Sequence, residues 1–249
     1  MAAIDPARVF AAHADAWQAH GRLFTPYGGA TGELPGWRLM ASGLPYAYLN
    51  SACVTDPAVA DPGLARAWYS SRGLSWGAIA ASGSNWPHGR HLLTQDLMAL
   101  EPASLSPAPR PAGLAMRRAR TEDAGEVVAI DNAAFGSSPA AAHAWLGRLC
   151  CLQEVNVALG VLDGLPVAAG YATMATGEAG TTLYIGGIGV VPSARRRGVA
   201  AALVTYLLTG GLDRGAAFAH LQTDSERAAR LYGRLGFEHC GGIDIYAVD

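Results

Sequence analysis

The stretch GVVPSARRRGVAAALV (residues 189–204) breaks the habits of the chain around it. Charged residues make up only 15% of the sequence, yet three arginines stand side by side here, followed by a glycine and an apolar run. The pattern predicts a strand ending near Val191, a loop led by Pro192, and a helix opening at Gly198. The first N–H groups of a helix have no partner within it, and its dipole adds partial positive charge. Several such groups aimed at one point hold a phosphate or pyrophosphate. Gly198 lets backbone and ligand approach closely, and small Ala200 and Ala201 keep the first turn clear. The alternative is a solvated basic turn. Neither G-x-x-x-x-G-K-S/T nor G-x-G-x-x-G is present, so the residues alone do not say which phosphate is meant.

The rest of the chain narrows the setting. With 249 residues, 51% of them apolar, one large domain or two smaller ones are easily supplied with a core. The formal net charge of −2 argues against broad attraction to nucleic acid or anionic membrane. Cys53, Cys150, Cys151 and Cys240 form no C-x-x-C pair, and MAAIDPARVF lacks a basic segment leading an apolar one. No apolar run reaches the roughly 18 residues of a membrane span. A cytoplasmic protein is expected.

ALEPASLSPAPRPAGLAMRRA (residues 99–119) carries four prolines, which favour extended linker backbone. It divides the chain into a first unit at 1–106, a linker at 107–113 and a second unit at 114–249. In the first unit a helix is expected over 6–20 with Val9, Phe10, Ala14 and Trp17 on one face. PYAYLNSACV, LSWGAIAA and HLLTQDLMAL read as strands, and GLARAWYSSRG as a helix. In the second unit VNVALGVLDGLPVAAGYATM reads as a hairpin turning at Asp163–Gly164. Strand IGGIGVV, helix GVAAALVTYLL, strand AAFAHLQT, helix SERAARLYGRL and strand IDIYAV follow. Gly186 and Gly187 suit a bulge in the first of these.

The quoted stretch resembles the acetyl-CoA motif of the GNAT acetyltransferase superfamily, Arg/Gln-x-x-Gly-x-Gly/Ala, with Arg195, Gly198 and Ala200 at its defined positions. A second element, SERAARLYGRLGF (residues 225–237), is similar to the family pattern Asn-x-x-Ala-x-x-Leu-Tyr-x-x-x-Gly-Phe. Ala228, Leu231, Tyr232, Gly236 and Phe237 match; Ser225 departs from the usual asparagine and suits a helix cap or a shorter contact with pantetheine. The resemblance covers about residues 114–249. It implies an α/β (α+β) GNAT fold, a central mixed, mostly antiparallel sheet flanked by helices. The element order of the first unit resembles a degenerate GNAT half without either motif, giving two tandem GNAT-like domains; a small unrelated α/β domain is the alternative.

The implied activity is acetyl transfer from acetyl-CoA to a primary amine by direct attack in a ternary complex. A non-catalytic acyl-CoA-binding sensor or scaffold is the competing reading. The implied cofactor site comprises Ile188, Gly189, Val190, Arg195, Arg196, Arg197, Gly198, Val199, Ala200, Ala201 and Ser225, with Ile188 and Val190 pairing to pantetheine from a splayed strand. Tyr232 is the implied catalytic acid, protonating the thiolate that leaves. The acceptor is a small-molecule or protein amine; no metal, nucleic acid or membrane is called for, and a homodimer is admissible. Glu154, Glu178 and Asp131 are weak options for the base, and none is assigned. His88 and His91 lack the further ligands of a metal site.

Overall fold

The computed structural model describes residues 4–84, 86–136 and 139–248. Helix α1 (Pro6–Leu23) starts where the Asp5 side chain accepts from the Ala7 N–H, with proline at its first position. Strands β1 (Ala30–Leu34) and β2 (Trp37–Ala41) form a hairpin that sequence reasoning did not assign. Its turn is Pro35–Gly36, and Gly36 has φ +74°. Then come β3 (Ser51–Val54), α2 (Pro62–Ser70), β4 (Gly77–Ala81) and β5 (Arg90–Leu100). PYAYLNSACV is strand only in its last part; residues Ala47–Leu49 make a 3-10 turn, held by the buried amide of Asn50.

The second half runs β6 (Leu114–Arg118), α3 (Ala124–Phe135), α4 (Pro139–Ala142), β7 (Val155–Leu162) and β8 (Leu165–Gly177). It continues with β9 (Gly180–Val190), α5 (Val199–Leu212), β10 (Ala219–Thr223), α6 (Glu226–Leu235) and β11 (Glu238–Ala247). A π-helical turn at His143–Gly147 follows α4. The β7–β8 turn places Asp163 and Gly164 at φ +51° and +83°, as a type I′ turn requires.

The eleven strands of the described residues join one mixed sheet in the order β1-β2-β3-β4-β11-β5-β10-β9-β8-β7-β6. Among the described residues only β3–β4 and β9–β10 pair in parallel, and each pair is joined through a helix, α2 or α5. The centre of the sheet is an exchange. Strand β5 of the first half lies between β10 and β11, and β11 of the second half lies between β4 and β5. The proline-rich segment after β5 is packed against the second half: Ser106 N–H donates to the Leu235 carbonyl, and Ala108 N–H to Thr205 Oγ1.

Helix α1 crosses one face of this centre and is buried on more than one side. Its His13 and His20, with His220 of β10, are fully buried around Trp17 and Tyr184. His20 Nε2 shares a hydrogen bond with Thr173 Oγ1 at 3.2 Å; neither ring nitrogen of His13 or His220 has a partner. Burial lowers His13 to a pKa of about 4 and His220 and His20 to about 3. On the other face, Leu183, Ile185 and Leu221 pack with Leu203 and Leu207 of α5. An ion-pair cluster ties the halves at the edge, where Arg38 of β2 meets both Asp15 of α1 and Glu178 of the β8–β9 turn.

Candidate functional site: a cleft where two parallel strands part

Strands β9 and β10 pair only at Leu183↔Ala219 and Tyr184↔His220. Beyond that point β9 stays with β8 as far as Val190↔Ala168, and β10 stays with β5 as far as Thr223↔Asp96. Each strand keeps its outer partner and releases the inner one, so the sheet opens. A bulge accentuates the divergence: the register passes from Gly186↔Tyr171 to Gly189↔Ala169, and Gly187 takes φ +62°. A Cβ on Gly186 would stand 2.8 Å from the Tyr171 ring, so glycine is what lets that ring pack beneath the bulge.

The opening continues into a cleft of about 670 Å³. Its walls are the end of α3, the 188–201 segment and the exposed side of α6. Arg196 and Gly198 have φ +63° and +79°, a local geometry that turns successive N–H groups to one side. Gly198 is the N-cap of α5, no side chain caps it, and the first helical bond runs from Ala202 N–H to the Gly198 carbonyl. The N–H groups of the first turn are therefore left for a ligand.

Of the residues singled out from sequence, Ile188, Val190, Arg195, Arg196, Gly198, Val199, Ala200, Ala201, Ser225 and Tyr232 line this one cleft. Two do not. Gly189 faces α3, where a Cβ would lie 3.1 Å from Ala134 Cβ, and the Arg197 guanidinium turns to Asp163 at 3.8 Å. Arg195 is placed on the cleft, yet its guanidinium is engaged: Nε donates to the Val190 carbonyl at 3.0 Å and Nη2 to the Ala134 carbonyl at 3.1 Å. It braces the loop against β9 and α3. Ser225 Oγ accepts from Ala228 N–H at 3.4 Å as the cap of α6.

Arg227 and Arg234, missed in the sequence, join the same wall. Their signal was spacing: seven residues apart, they fall on one helical face. With Arg196 they give the mouth a positive character, offset among its lining residues by Asp224 alone. Phe135, 56% exposed at the end of α3, supplies an apolar rim. Tyr232 is buried beside Phe237, and burial, with a smaller contribution from the Tyr184 phenol, pushes its pKa up to about 12. Its hydroxyl is protonated throughout the neutral range and available as a donor. Glu154 is exposed on a loop, Glu178 is paired with Arg38, and Asp131 lies on α3 beside Gly187 and Gly189.

Residues 124–237 match the model of the acetyltransferase (GNAT) family. Residues 124–237 carry the GNAT acetyltransferase pattern. Solved structures extend the likeness in fold over both halves. A GCN5-related N-acetyltransferase from Kribbella flavida aligns with a TM-score of 0.70 at 22% identity, covering 96% of this chain and 95% of that one. A GNAT-family acetyltransferase structure from Novosphingobium aromaticivorans gives 0.59 at 18%, over 90% and 93%. A GCN5-related N-acetyltransferase from Sphaerobacter thermophilus gives 0.56 at 19%, over 98% and 93%. The exchanged sheet is thus the GNAT fold with its N-terminal half included. No curated protein matches the chain. Among the described residues no helix is long and apolar enough to cross a membrane.

Proposed function

We propose that the protein is an N-acetyltransferase that moves an acetyl group from acetyl-CoA to a primary amine by direct attack. The observation that carries this reading is the convergence, in one cleft, of a parted parallel strand pair, the uncapped start of α5 and the phenol of Tyr232. The N–H groups following Gly198 hold the pyrophosphate, with Arg196, Arg227 and Arg234 adding charge. The released edge of β9 pairs with the pantetheine arm. Since the Val190 carbonyl already accepts from Arg195, Ile188 is the freer of the two expected contacts.

In the transfer, the amine nitrogen forms the new bond to the acyl carbon, the carbon–sulfur bond breaks, and the sulfur leaves with the electron pair. Tyr232 delivers a proton to it, the nitrogen sheds its surplus proton to solvent, and Tyr232 is reprotonated from solvent. The amine must arrive neutral, which costs a lysine-like group about 4–5 kcal/mol at pH 7. In this reading residues 114–249 carry the donor chemistry, and residues 1–106 shape the acceptor side across the 107–113 linker.

The test is acetyl-CoA with a panel of amines, following free thiol. Turnover on at least one amine is expected, and Tyr232→Phe should lower kcat by about 10²-fold or more while leaving CoA affinity within threefold. Tight CoA binding with no turnover on any amine would replace the enzyme with the sensor reading.

A further inference from the structure

The first half has no phosphate loop, and the chemistry above leaves its inner face unused. A second cavity, of about 450 Å³, lies there. Strand direction locates it. Strand β10 runs with β9, β5 against β10, β11 against β5, and β4 against β11. The carboxyl ends of β9, β10 and β11 therefore meet the amino ends of β4 and β5 along one edge of the sheet. That edge is where β9 and β10 part. The cavity uses these same strand ends: Gly77 of β4, Gln95 of β5, Gln222 of β10, Ile245 and Tyr246 of β11. It is closed inwardly by His13 and Trp17 of α1, on the face opposite α5.

Gln222 stands between the two sites. Its Nε2 donates to the Tyr184 hydroxyl at 3.1 Å, and Tyr184 is close enough to Tyr232 to add to the rise in its pKa. Its Oε1 has no partner. The same is true of both ring nitrogens of His13, which is 1% exposed, and of Trp17 Nε1. Buried polar atoms without partners are uncommon and costly, and here they gather at the inner end of a cavity. At its outer end Tyr48 and Leu92 leave large apolar side chains 61% and 47% exposed.

We propose that this cavity is the acceptor site, and that it takes a primary amine carried on a compact, flat, apolar body. The proposal rests on reading the first cleft as the acetyl-CoA site. The walls are aromatic and aliphatic, with Trp76, Ile79, Ile245 and Tyr246. Among the described lining residues none is acidic, and Arg66 is the one arginine or lysine. A polycationic acceptor would bury a second ammonium without a counter-charge, at a cost of several kcal/mol. A single amine meets the opposite situation. An apolar wall without a carboxylate lowers its pKa and favours the neutral, nucleophilic form. The cavity thereby does part of what no assigned base does. His13, neutral at working pH, and Gln222, whose Oε1 has no partner, supply hydrogen bonds to the amine itself.

The experiment compares phenethylamine and tryptamine with spermidine and kanamycin as acceptors, and measures CoA affinity by calorimetry. The aromatic amines should be acetylated with kcat/KM at least tenfold above the polycations. Ile245→Trp, which fills the cavity, and Ser70→Trp, on the exposed surface of α2 at its border, should each raise the amine KM tenfold or more with CoA affinity within twofold. The second variant keeps the test standing if the first folds poorly. Preference for the polycations, or an amine KM unmoved by Ser70→Trp and by folded Ile245→Trp, overturns this inference and leaves the acetyltransferase reading intact. CoA binding without turnover on any amine overturns both.

Discussion

Lowering the pH from 7.5 to 5.5 should cost this protein about 4 kcal/mol of stability, through three histidines. His13, His20 and His220 are buried as neutral rings, and burial holds them near 4, 3 and 3 against an ordinary 6.5. Each folded pKa lies below its unfolded value, so the unfolded chain binds protons first. The stability at stake is fully present above pH 6.5 and is lost as pH falls through 6.5 toward the folded values. At pH 5.5 the unfolded form of each histidine is about ten-elevenths protonated and the folded form hardly at all, a loss of slightly more than ~1 kcal/mol per group between the two pH values. For a chain of this size, three such groups lower Tm by roughly 8–16 °C. Carboxylates act in a different window. Asp123, held at about 2 chiefly by its hydrogen bonds from Arg117, begins to lose its contribution only below its ordinary 3.8. The assay is thermal melting by circular dichroism at both pH values, for the parent and for His13→Gln with His220→Asn. The double variant should retain about one third of the fall. A parent Tm that drops by less than about 3 °C, or an equal drop in the variant, refutes the reasoning.

Gly198→Val should weaken CoA binding at least tenfold by calorimetry, because φ +79° is strained for a β-branched residue and relieving that strain, with a Cβ 3.4 Å from Pro111 Cγ, would turn the cradle's N–H groups out of line; unchanged affinity sinks the backbone cradle. Arg195→Ala should lower both Tm and CoA affinity, since it removes two bonds that brace the loop. Arg197→Ala should change either little, its exposed pair with Asp163 being weak; a larger loss from Arg197→Ala than from Arg195→Ala would reverse the assignment. With Tyr232 near 12, kcat should show no alkaline decline from this group between pH 7 and 10; a falling limb near pH 9 that disappears in Tyr232→Phe would contradict its burial.

The loop and cleft at the start of α5 were the most legible part because their signal is local. A strand, a loop and the first turn of a helix lie within sixteen consecutive residues, and the bulge at Gly186 and Gly187 and the turn at Asp163–Gly164 are also written in adjacent letters. What escaped depends on partners distant in sequence. Gln222 pairs with Leu97 and Ile245 with Ile79, and nothing near any of them records the exchange. Helix α1 misled for the same reason. Val9, Phe10 and Ala14 are buried as its pattern suggests, but His13, Asp15, Gln18 and His20 are buried too, since the helix is covered from both halves. The β1–β2 hairpin carries its local signal in the Pro35–Gly36 turn ahead of the apolar run WRLMA, while ATGEL before it is too polar and glycine-broken to read as a strand.

The exchange of β5 and β11 also sets an order of events during synthesis. The family match ends at Phe237, one residue before β11, so the unit recognisable by descent is smaller than the unit that closes the sheet. While the first half emerges from the ribosome, β4 and β5 have no neighbour between them, and each presents an open edge until the final strand arrives. That gap spans the whole translation of the second half, a matter of roughly ten seconds or more. The nascent first half is therefore the stage most exposed to edge-to-edge aggregation.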